Sequence, residues 1–172
     1  MVEVERKFLV NPAGIPLDVW DSIVDSVEVE QHYLSLSPEV RIRKSHNISE
    51  SLTFYHMCVK SDLTQLARRE IEIEITASDF ICLVECSIGT VYKIRYRSEI
   101  SCQFTGEANR LVIAEMDTFM NSLEELDMVE VEFPTEYLAS IFKPPAWFGK
   151  EVTSDPRYRN KNLAVDGKPD LE

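Results

Sequence analysis

The chain opens with Val2-Glu3-Val4-Glu5-Arg6-Lys7-Phe8-Leu9-Val10, a segment in which charged and apolar side chains alternate. Alternation of this kind predicts a β-strand, because residues two apart on a strand share a face. One face would carry the charged residues Glu3, Glu5 and Lys7, and the other would carry the apolar side chains. Other predicted strands of the chain carry charge in the same alternating order.

The composition is that of a globular domain with an acidic balance. The chain has 172 residues, of which 44% are hydrophobic, and it has 30 acidic against 18 basic side chains for a formal net charge of -12. We expect a single domain over 1–165 and a polar C-terminal tail over 166–172. The charge argues against a nucleic acid polymer as ligand, since such a ligand needs a basic face. A metal-bridged polyphosphate remains compatible with it.

The cysteines and histidines give no sign of a zinc site, because no CxxC and no HExxH spacing occurs. Cys82 and Cys86 are four residues apart on a predicted helix, and we expect them to be small core residues. The N-terminus is charged from residue 3, and no apolar run reaches the roughly 18 residues of a membrane span. We therefore expect a reduced, cytoplasmic protein without membrane contact, either a monomer or a homodimer.

Eight segments have the pattern of strands, at about 2–10, 29–36, 39–44, 52–61, 68–76, 91–99, 111–119 and 128–133. Residues 100–104 continue or pair with the sixth of these strands. Helical spacing predicts helices at about 17–27, 80–87 and 135–142. The short connections indicate a mostly antiparallel sheet with helices packed outside it, which is an α+β architecture.

Charges on these strands are sorted by strand. The acids that share a strand face are Glu3, Glu5, Glu70, Glu72, Glu74, Glu115, Asp117, Glu130 and Glu132, and the bases are Lys7, Arg41, Arg43, Lys60, Lys93 and Arg95. Carboxylates two residues apart lie about 7 Å apart, and at an effective dielectric near 20 such a pair repels by about 2 kcal/mol. A solvated outer face would mix both signs of charge with Ser, Thr and Gln. Like charges that follow one another on one strand face instead need opposite charges on the strands facing them.

The opposite strand faces carry Val, Ile, Phe and Tyr and can pack against helices. The pattern therefore predicts a closed or nearly closed eight-stranded antiparallel β-tunnel with a charged interior. Carboxylates on one wall suit Mg²⁺ or Mn²⁺, and Arg and Lys on the other suit phosphate oxygens. Such an interior fits a metal-bound polyphosphate.

With these motifs the chain resembles the CYTH superfamily, the triphosphate tunnel metalloenzymes. The signature ExExK of its first strand is present at residues 3–7. The other motifs follow in the expected order, as Arg41-x-Arg43, Lys60, Arg68-x-Glu70-x-Glu72-x-Glu74, Lys93-x-Arg95, Glu115-x-Asp117 and Glu130-x-Glu132. The segment 147–160 is similar to the closing motif of bacterial members, and the likeness covers nearly all of 1–165.

The resemblance implies metal-dependent hydrolysis of a triphosphate, with inorganic tripolyphosphate as the leading substrate and Mg²⁺ or Mn²⁺ as cofactor. The implied metal ligands are Glu3, Glu5, Glu130 and Glu132, while Glu72, Glu74 and Asp117 would order water or a second metal. The implied phosphate contacts are Lys7, Arg41, Arg43, Lys60, Lys93 and Arg95. Glu74 or Glu132 would accept a proton, and Lys7 would act beside them. In the C-terminal segment, Arg157, Arg159 and Lys161 are either further phosphate contacts or part of a solvated turn.

Two other classes of function fit the same tunnel. One is a different enzyme of the family, an adenylate cyclase or a thiamine triphosphatase, although nothing in the sequence marks a pocket for a base. The other is a binding module for polyphosphate or nucleotides that performs no catalysis. The chain also departs from the family pattern at His56-Met57-Cys58, where a small or β-branched run is usual, and at Ala114, where an aromatic residue is usual. These departures concern the substrate more than the metal.

Overall fold

The computed structural model describes residues 2–62 and 67–170. Its strands are β1 (Val2–Leu9), β2 (Ile23–Leu36), β3 (Glu39–Asn47), β4 (Leu52–Asp62), β5 (Ala67–Glu74), β6 (Gly89–Phe104), β7 (Glu107–Phe119), β8 (Asp127–Glu132) and β9 (Phe142–Lys143). Its α-helices are α1 (Leu17–Asp21), α2 (Ala77–Val84), α3 (Glu136–Ile141) and α4 (Asn160–Asp166). Short 3₁₀ turns lie at Pro12–Gly14, Asn121–Leu123 and Pro156–Tyr158.

Antiparallel pairing joins the first eight strands in the order β1-β5-β4-β3-β2-β6-β7-β8. β8 in turn pairs with both β7 and β1, so the ring of pairings returns to its start. The two-residue β9 adds to the end of β6. The predicted eight-stranded antiparallel tunnel is therefore confirmed.

The outer side of the ring is apolar where helices cover it. Val4 and Phe8 of β1 are buried in a cluster that includes Val19 of α1, Ala139 of α3 and Phe148 of the C-terminal segment. Because side chains alternate along a strand, this packing turns Glu5 and Lys7 to the interior. The arrangement of charged side chains inside and apolar side chains outside agrees with the prediction for this part of the ring.

One end of the interior is apolar, although the strand pattern predicts a charged interior. Tyr33, Phe119 and Met128 share strand faces with charged residues but are buried, and they cluster with Tyr158 and Leu163 from the C-terminal segment. These contacts anchor α4 and the turn before it to one end of the tunnel. The charged interior therefore lies between this apolar end and the other end of the strands.

The first predicted helix is too long. α1 ends at Asp21 and β2 begins at Ile23, so residues 23–27 of the predicted helix belong to a strand. The apolar spacing at 23, 24 and 27 fits both a helix and a β-branched strand. The pairing of β2 with β6 begins at Ile23 and extends along most of β2, so these residues form a strand.

The second helix starts earlier than predicted and buries a different face. Thr76 caps it, since its side chain accepts a hydrogen bond from the Asp79 backbone while Asp79 caps in return. Phe80 is the buried residue of this helix, and Cys82 and Cys86 are exposed. The assignment of these two cysteines to the core was therefore wrong, because a surface helix covers the sheet with one narrow stripe only. No helix among the described residues is long and apolar enough to cross a membrane.

Candidate active site

A cavity of about 590 Å³ occupies the charged part of the tunnel. The predicted site residues that line it are Glu5, Lys7, Arg41, Arg43, Lys60, Glu72, Lys93, Arg95, Glu130 and Glu132. The strands with acidic rows, β7, β8, β1 and β5, follow one another in the ring. The strands with basic rows, β4, β3 and β6, lie on the other half, with β2 among them. The predicted sorting of the interior into an acidic and a basic wall is therefore present.

The acidic wall is built on the pairing of β1 with β8. Glu5 lies opposite Glu132, and Lys7 lies opposite Glu130. Lys7 Nζ is 2.7 Å from Glu130 Oε1 and 3.7 Å from Glu5 Oε1, and Arg95 Nη2 donates to Glu130 Oε2 at 2.7 Å. Burial alone would raise the pKa of Glu130, but Lys7, Arg95 and Lys93 outweigh it and hold that pKa well below its usual value.

At the seam between β6 and β7, acids and bases of adjacent strands meet directly. Asp117 accepts hydrogen bonds from Lys93 Nζ at 2.5 Å and from Arg95 Nε and Nη2 at 2.6 Å each. Arg95 also pairs with Glu115. Burial lowers the pKa of Lys93, and the nearby Arg95 acts in the same direction, while Asp117 opposes them. The seam is thus a buried, densely paired network whose cations face the cavity.

A second seam joins the basic β3 and β4 to the acidic β5. Arg43 Nη2 donates to Glu72 Oε2 at 2.8 Å, and Lys60 Nζ lies 3.3 Å from Glu70 Oε2. Arg41 Nη2 is 3.8 Å from Glu70 Oε1. Burial by itself would raise the pKa of Glu70, but Lys60 and the other hydrogen-bonding and charged neighbours lower it. A phosphate chain entering here would meet guanidinium and ammonium groups that are already oriented by carboxylates.

Cys58 lies inside the tunnel on β4. The residue is 1% exposed, and its thiol donates to Glu70 Oε1 at 2.8 Å. Within the described part of the chain, one group of three metal-ligating side chains has its ligand atoms within 4.8 Å of one another, and it consists of Cys58, Glu70 and Glu72. Burial raises the pKa of the Cys58 thiol to about 12. The thiol is therefore a protonated hydrogen-bond donor and not a ready metal ligand.

The donor chemistry for a hard cation is on the acidic wall. Glu5, Glu130 and Glu132 lie on two paired strands and line the same cavity. Carboxylate oxygens are the ligands that Mg²⁺ and Mn²⁺ prefer, so this set fits such an ion. The side chain of Glu3, the fourth predicted ligand, lies outside the described part of the structure.

Three predicted site residues are not among those that line the cavity. Glu74 is exposed near the end of β5, and Asp117 is buried in its ion pairs with β6. Arg157 points to Asp155 with 54% of its side chain exposed. In contrast, Arg159 and Lys161 do line the cavity.

The cavity also includes residues that sequence reasoning did not assign to the site. They are Gln31, Glu39, Ile71, Arg97 and Asn160. Glu70 and Glu115, which the charge pattern placed on the interior faces without a role in the site, line the cavity as well. Arg97 lies two residues after Arg95 on β6, and Glu39 lies two residues before Arg41 on β3. Strand alternation therefore places both side chains on the interior face, and this signal is present in the sequence. Asn160 comes from α4, and no strand pattern could have placed it there.

Comparison with known proteins gives two curated relatives that span the chain. An inorganic triphosphatase of Nitrosomonas europaea is 39% identical over 169 residues, which cover 96% of this chain and 98% of the relative. An inorganic triphosphatase of Acetivibrio thermocellus is 32% identical over 165 residues, which cover 94% of this chain and 92% of the relative.

A solved crystal structure of an inorganic triphosphatase has a TM-score of 0.61 to this chain at 34% identity, covering 95% of this chain and 94% of the other. No protein-family model matches the chain. The tunnel fold, the two sorted walls and the full-length relatives agree with one another. The chain belongs to the inorganic triphosphatases of the CYTH superfamily, the triphosphate tunnel metalloenzymes.

Proposed function

We propose that the protein hydrolyses inorganic tripolyphosphate to phosphate and diphosphate, with Mg²⁺ or Mn²⁺ as cofactor. The observation that carries this proposal is the cavity of about 590 Å³ in which the acidic and the basic wall meet. It is lined by the cations of Lys7, Arg41, Arg43, Lys60, Lys93 and Arg95 and by the carboxylates of Glu5, Glu130 and Glu132. The names of the two full-length relatives support the same reaction.

The basic wall would bind the phosphate chain. Arg41 and Arg43 present planar forks that match pairs of phosphate oxygens, and Lys60 and Lys93 act as point charges. In the structure Arg41, Arg43 and Lys60 pair with carboxylates of β5, and Lys93 pairs with Asp117 of β7. Their positions are therefore fixed before substrate arrives, which lowers the reorganisation needed to stabilise the charge of the leaving diphosphate.

On the acidic wall, Glu5, Glu130 and Glu132 would hold the divalent cation. When bound, it would polarise the phosphoryl group and neutralise developing charge. Lys7 Nζ and Arg95 Nη2 form ion pairs with the Glu130 carboxylate. A bound metal ion would therefore share this carboxylate with the two side chains.

Hydrolysis needs a proton acceptor for the attacking water. Of the two candidates from the sequence, Glu132 lines the cavity and Glu74 does not, so we assign this role to Glu132. Water would attack the terminal phosphorus while the bond from phosphorus to the diphosphate oxygen breaks, and the proton of the water would pass to Glu132. Lys7 would stabilise the charge on the terminal phosphoryl oxygens.

Phosphate release from tripolyphosphate tests the proposal, with MgCl₂ or MnCl₂ present. Glu5→Gln and Glu132→Gln should each lower the turnover by about 100-fold or more, in line with the loss of a group that acts on the transition state. Glu50→Gln is the matched control, because Glu50 is exposed in the turn between β3 and β4, and it should keep wild-type turnover. Release by the wild-type protein that does not exceed that of Glu132→Gln would end the hydrolase proposal.

A further inference from the structure

We propose that three side chains on the outer side of β1 position Lys7 for the reaction inside the tunnel. They are Arg6, Glu151 and Thr153, and we name them the outer clasp. None of the three lines the charged cavity, so they act through the backbone of β1 and are positioning residues. The inference rests on the proposed function, because there Lys7 stabilises charge on the terminal phosphoryl oxygens.

The first observation concerns the strand edge on which the backbone groups of Lys7 lie. The pairing of β5 with β1 covers Val2–Val4, and β8 occupies the opposite edge. Beyond β5 the C-terminal segment takes over this edge, since Leu9 N donates to the Lys150 carbonyl at 2.9 Å. Val152 N then donates to the Lys7 carbonyl at 2.8 Å. Lys7 is thus held in place by a segment that comes from the other end of the chain.

The second observation is the way in which this pairing ends at Lys7. Lys7 N–H donates to Thr153 Oγ1 at 2.9 Å, so a hydroxyl stands where a neighbouring strand would offer a carbonyl. The same hydroxyl is 2.8 Å from Glu151 Oε1 and 3.4 Å from the Lys7 carbonyl oxygen. A hydroxyl has one proton to donate, and the shorter distance gives that proton to Glu151. The position of Lys7 therefore depends on a carboxylate outside the tunnel.

The third observation is that Arg6 fixes this carboxylate. Arg6 Nε and Nη2 donate to the two oxygens of Glu151 at 2.8 and 2.5 Å, which is the planar fork that suits a carboxylate. Arg6 Nη1 donates to the carbonyls of Ala139 and Phe142 at 3.1 and 3.0 Å, where α3 ends. The hydrogen bonds of Arg6 lower the pKa of Glu151, although burial opposes them. One chain of hydrogen bonds therefore leads from the end of α3 to β1.

The fourth observation is on the inner side of β1, where Lys7 Nζ is 2.7 Å from Glu130 Oε1. Successive side chains of a strand point to opposite faces, so one backbone carries Arg6 outside and Lys7 inside. A misplacement of about 1 Å in a positioned group can cost about 100-fold in rate. Loss of one hydrogen bond to the Lys7 backbone should shift the side chain by less, and we therefore expect a loss of about tenfold.

The test measures kcat and KM for tripolyphosphate in Thr153→Val, which removes the hydroxyl and keeps the shape of the side chain. We expect kcat to fall about tenfold with KM nearly unchanged, because the weakened interaction acts in the transition state. Thr153→Ser keeps the hydroxyl and should restore most of kcat. Thr76→Val is the matched control, because the Thr76 hydroxyl also donates to a carboxylate and accepts from a backbone N–H, at the start of α2. It should keep wild-type kcat.

Amide hydrogen exchange of the folded proteins, followed by NMR, gives a readout that does not depend on activity. In Thr153→Val the Lys7 amide should exchange faster than in wild type, because it has lost its acceptor. The amide of Val10, which donates to the Asp127 carbonyl, should exchange as before. Glu151→Gln replaces one accepting oxygen by an amide group and should show the same changes in kcat and exchange to a smaller extent.

A lower kcat with unchanged KM and faster exchange of Lys7 in Thr153→Val, both reversed in Thr153→Ser, supports the outer clasp. Wild-type kcat in Thr153→Val and Glu151→Gln, or an equal loss in Thr76→Val, overturns the inference and leaves the proposed function standing. If Thr153→Val does not fold, Glu151→Gln decides: a lower kcat supports the outer clasp, and wild-type kcat overturns it. If the wild-type protein releases no phosphate from tripolyphosphate, the proposed function fails, and the role of the outer clasp in turnover fails with it.

Discussion

Replacement of Asp117 by Asn is the sharpest probe of the buried charge network. The substitution keeps the shape of the side chain but removes the charge that pairs with Lys93 and Arg95 at 2.5 and 2.6 Å. Arg95 retains Glu115 and Glu130. Lys93, whose side chain is 1% exposed, keeps the ring of Phe119, 5.3 Å from its Nζ. The variant therefore leaves one buried ammonium group without its close carboxylate.

Removal of one partner from a buried ion pair typically costs about 3–5 kcal/mol. Burial already lowers the pKa of Lys93, so the ammonium group can lose its proton and limit the cost. We therefore expect the lower end, a loss of about 3 kcal/mol in the free energy of unfolding. For a domain of this size that loss corresponds to about 6–12 °C in Tm.

The assay is urea unfolding followed by circular dichroism, with a thermal melt of the same samples. Glu107→Gln is the control, because Glu107 pairs with Arg110 on the surface, where half of the Arg110 side chain is exposed. Exposed pairs contribute about 0–1 kcal/mol. A loss below about 1 kcal/mol for Asp117→Asn, or an equal loss for the control, would show that the buried ion pairs of Asp117 do not stabilise the fold.

Three further predictions concern stability and reactivity. The pKa of Glu70 is lowered from 4.5 in the fold, so its contribution to stability is present above pH 4.5 and is lost as the pH falls through the lower, folded value. The urea midpoint should therefore fall less steeply between pH 5 and pH 3 in Glu70→Gln than in wild type, and equal slopes would contradict this. At pH 8 a thiol reagent should react rapidly with the exposed Cys82 and Cys86 only. Cys58 and Cys102 should react slowly, because burial raises the pKa of Cys58 to about 12 and that of Cys102 to about 11. Rapid reaction of all four cysteines in the native protein would contradict this burial. Gly89→Ala would place its Cβ 2.7 Å from the Ala164 carbonyl oxygen and should cost about 1–3 kcal/mol in urea unfolding, whereas unchanged stability would argue against the close contact of β6 with α4.

Strand alternation made the fold predictable. Charged residues at every second position of β1, β3, β5 and β6 identified the interior faces, because a strand repeats every two residues. The eight strands and their order of charge then led to a closed tunnel with two walls. The helix at 17–27 was partly wrong because five β-branched or polar residues fit either period, and only pairing with β6 decides between them.

The C-terminal segment and the details of the site were less predictable. Asn160 and Lys161 reach the cavity from α4, and only the packing of Tyr158 and Leu163 against the apolar end of the tunnel fixes that helix. Local pattern carries no information on such long-range contacts. The same reason explains Glu74, which shares the face of Glu72 by alternation but lies too near the end of its strand to line the cavity.

A crystal structure of the Glu132→Gln variant with tripolyphosphate and MgCl₂ would show where the substrate and the metal ion bind. We expect the phosphate chain to lie inside the tunnel, in contact with Arg41, Arg43, Lys60 and Lys93, and the metal ion to lie at Glu5 and Glu130. Tripolyphosphate on the outside of the sheet, with no phosphate between the two walls, would contradict it.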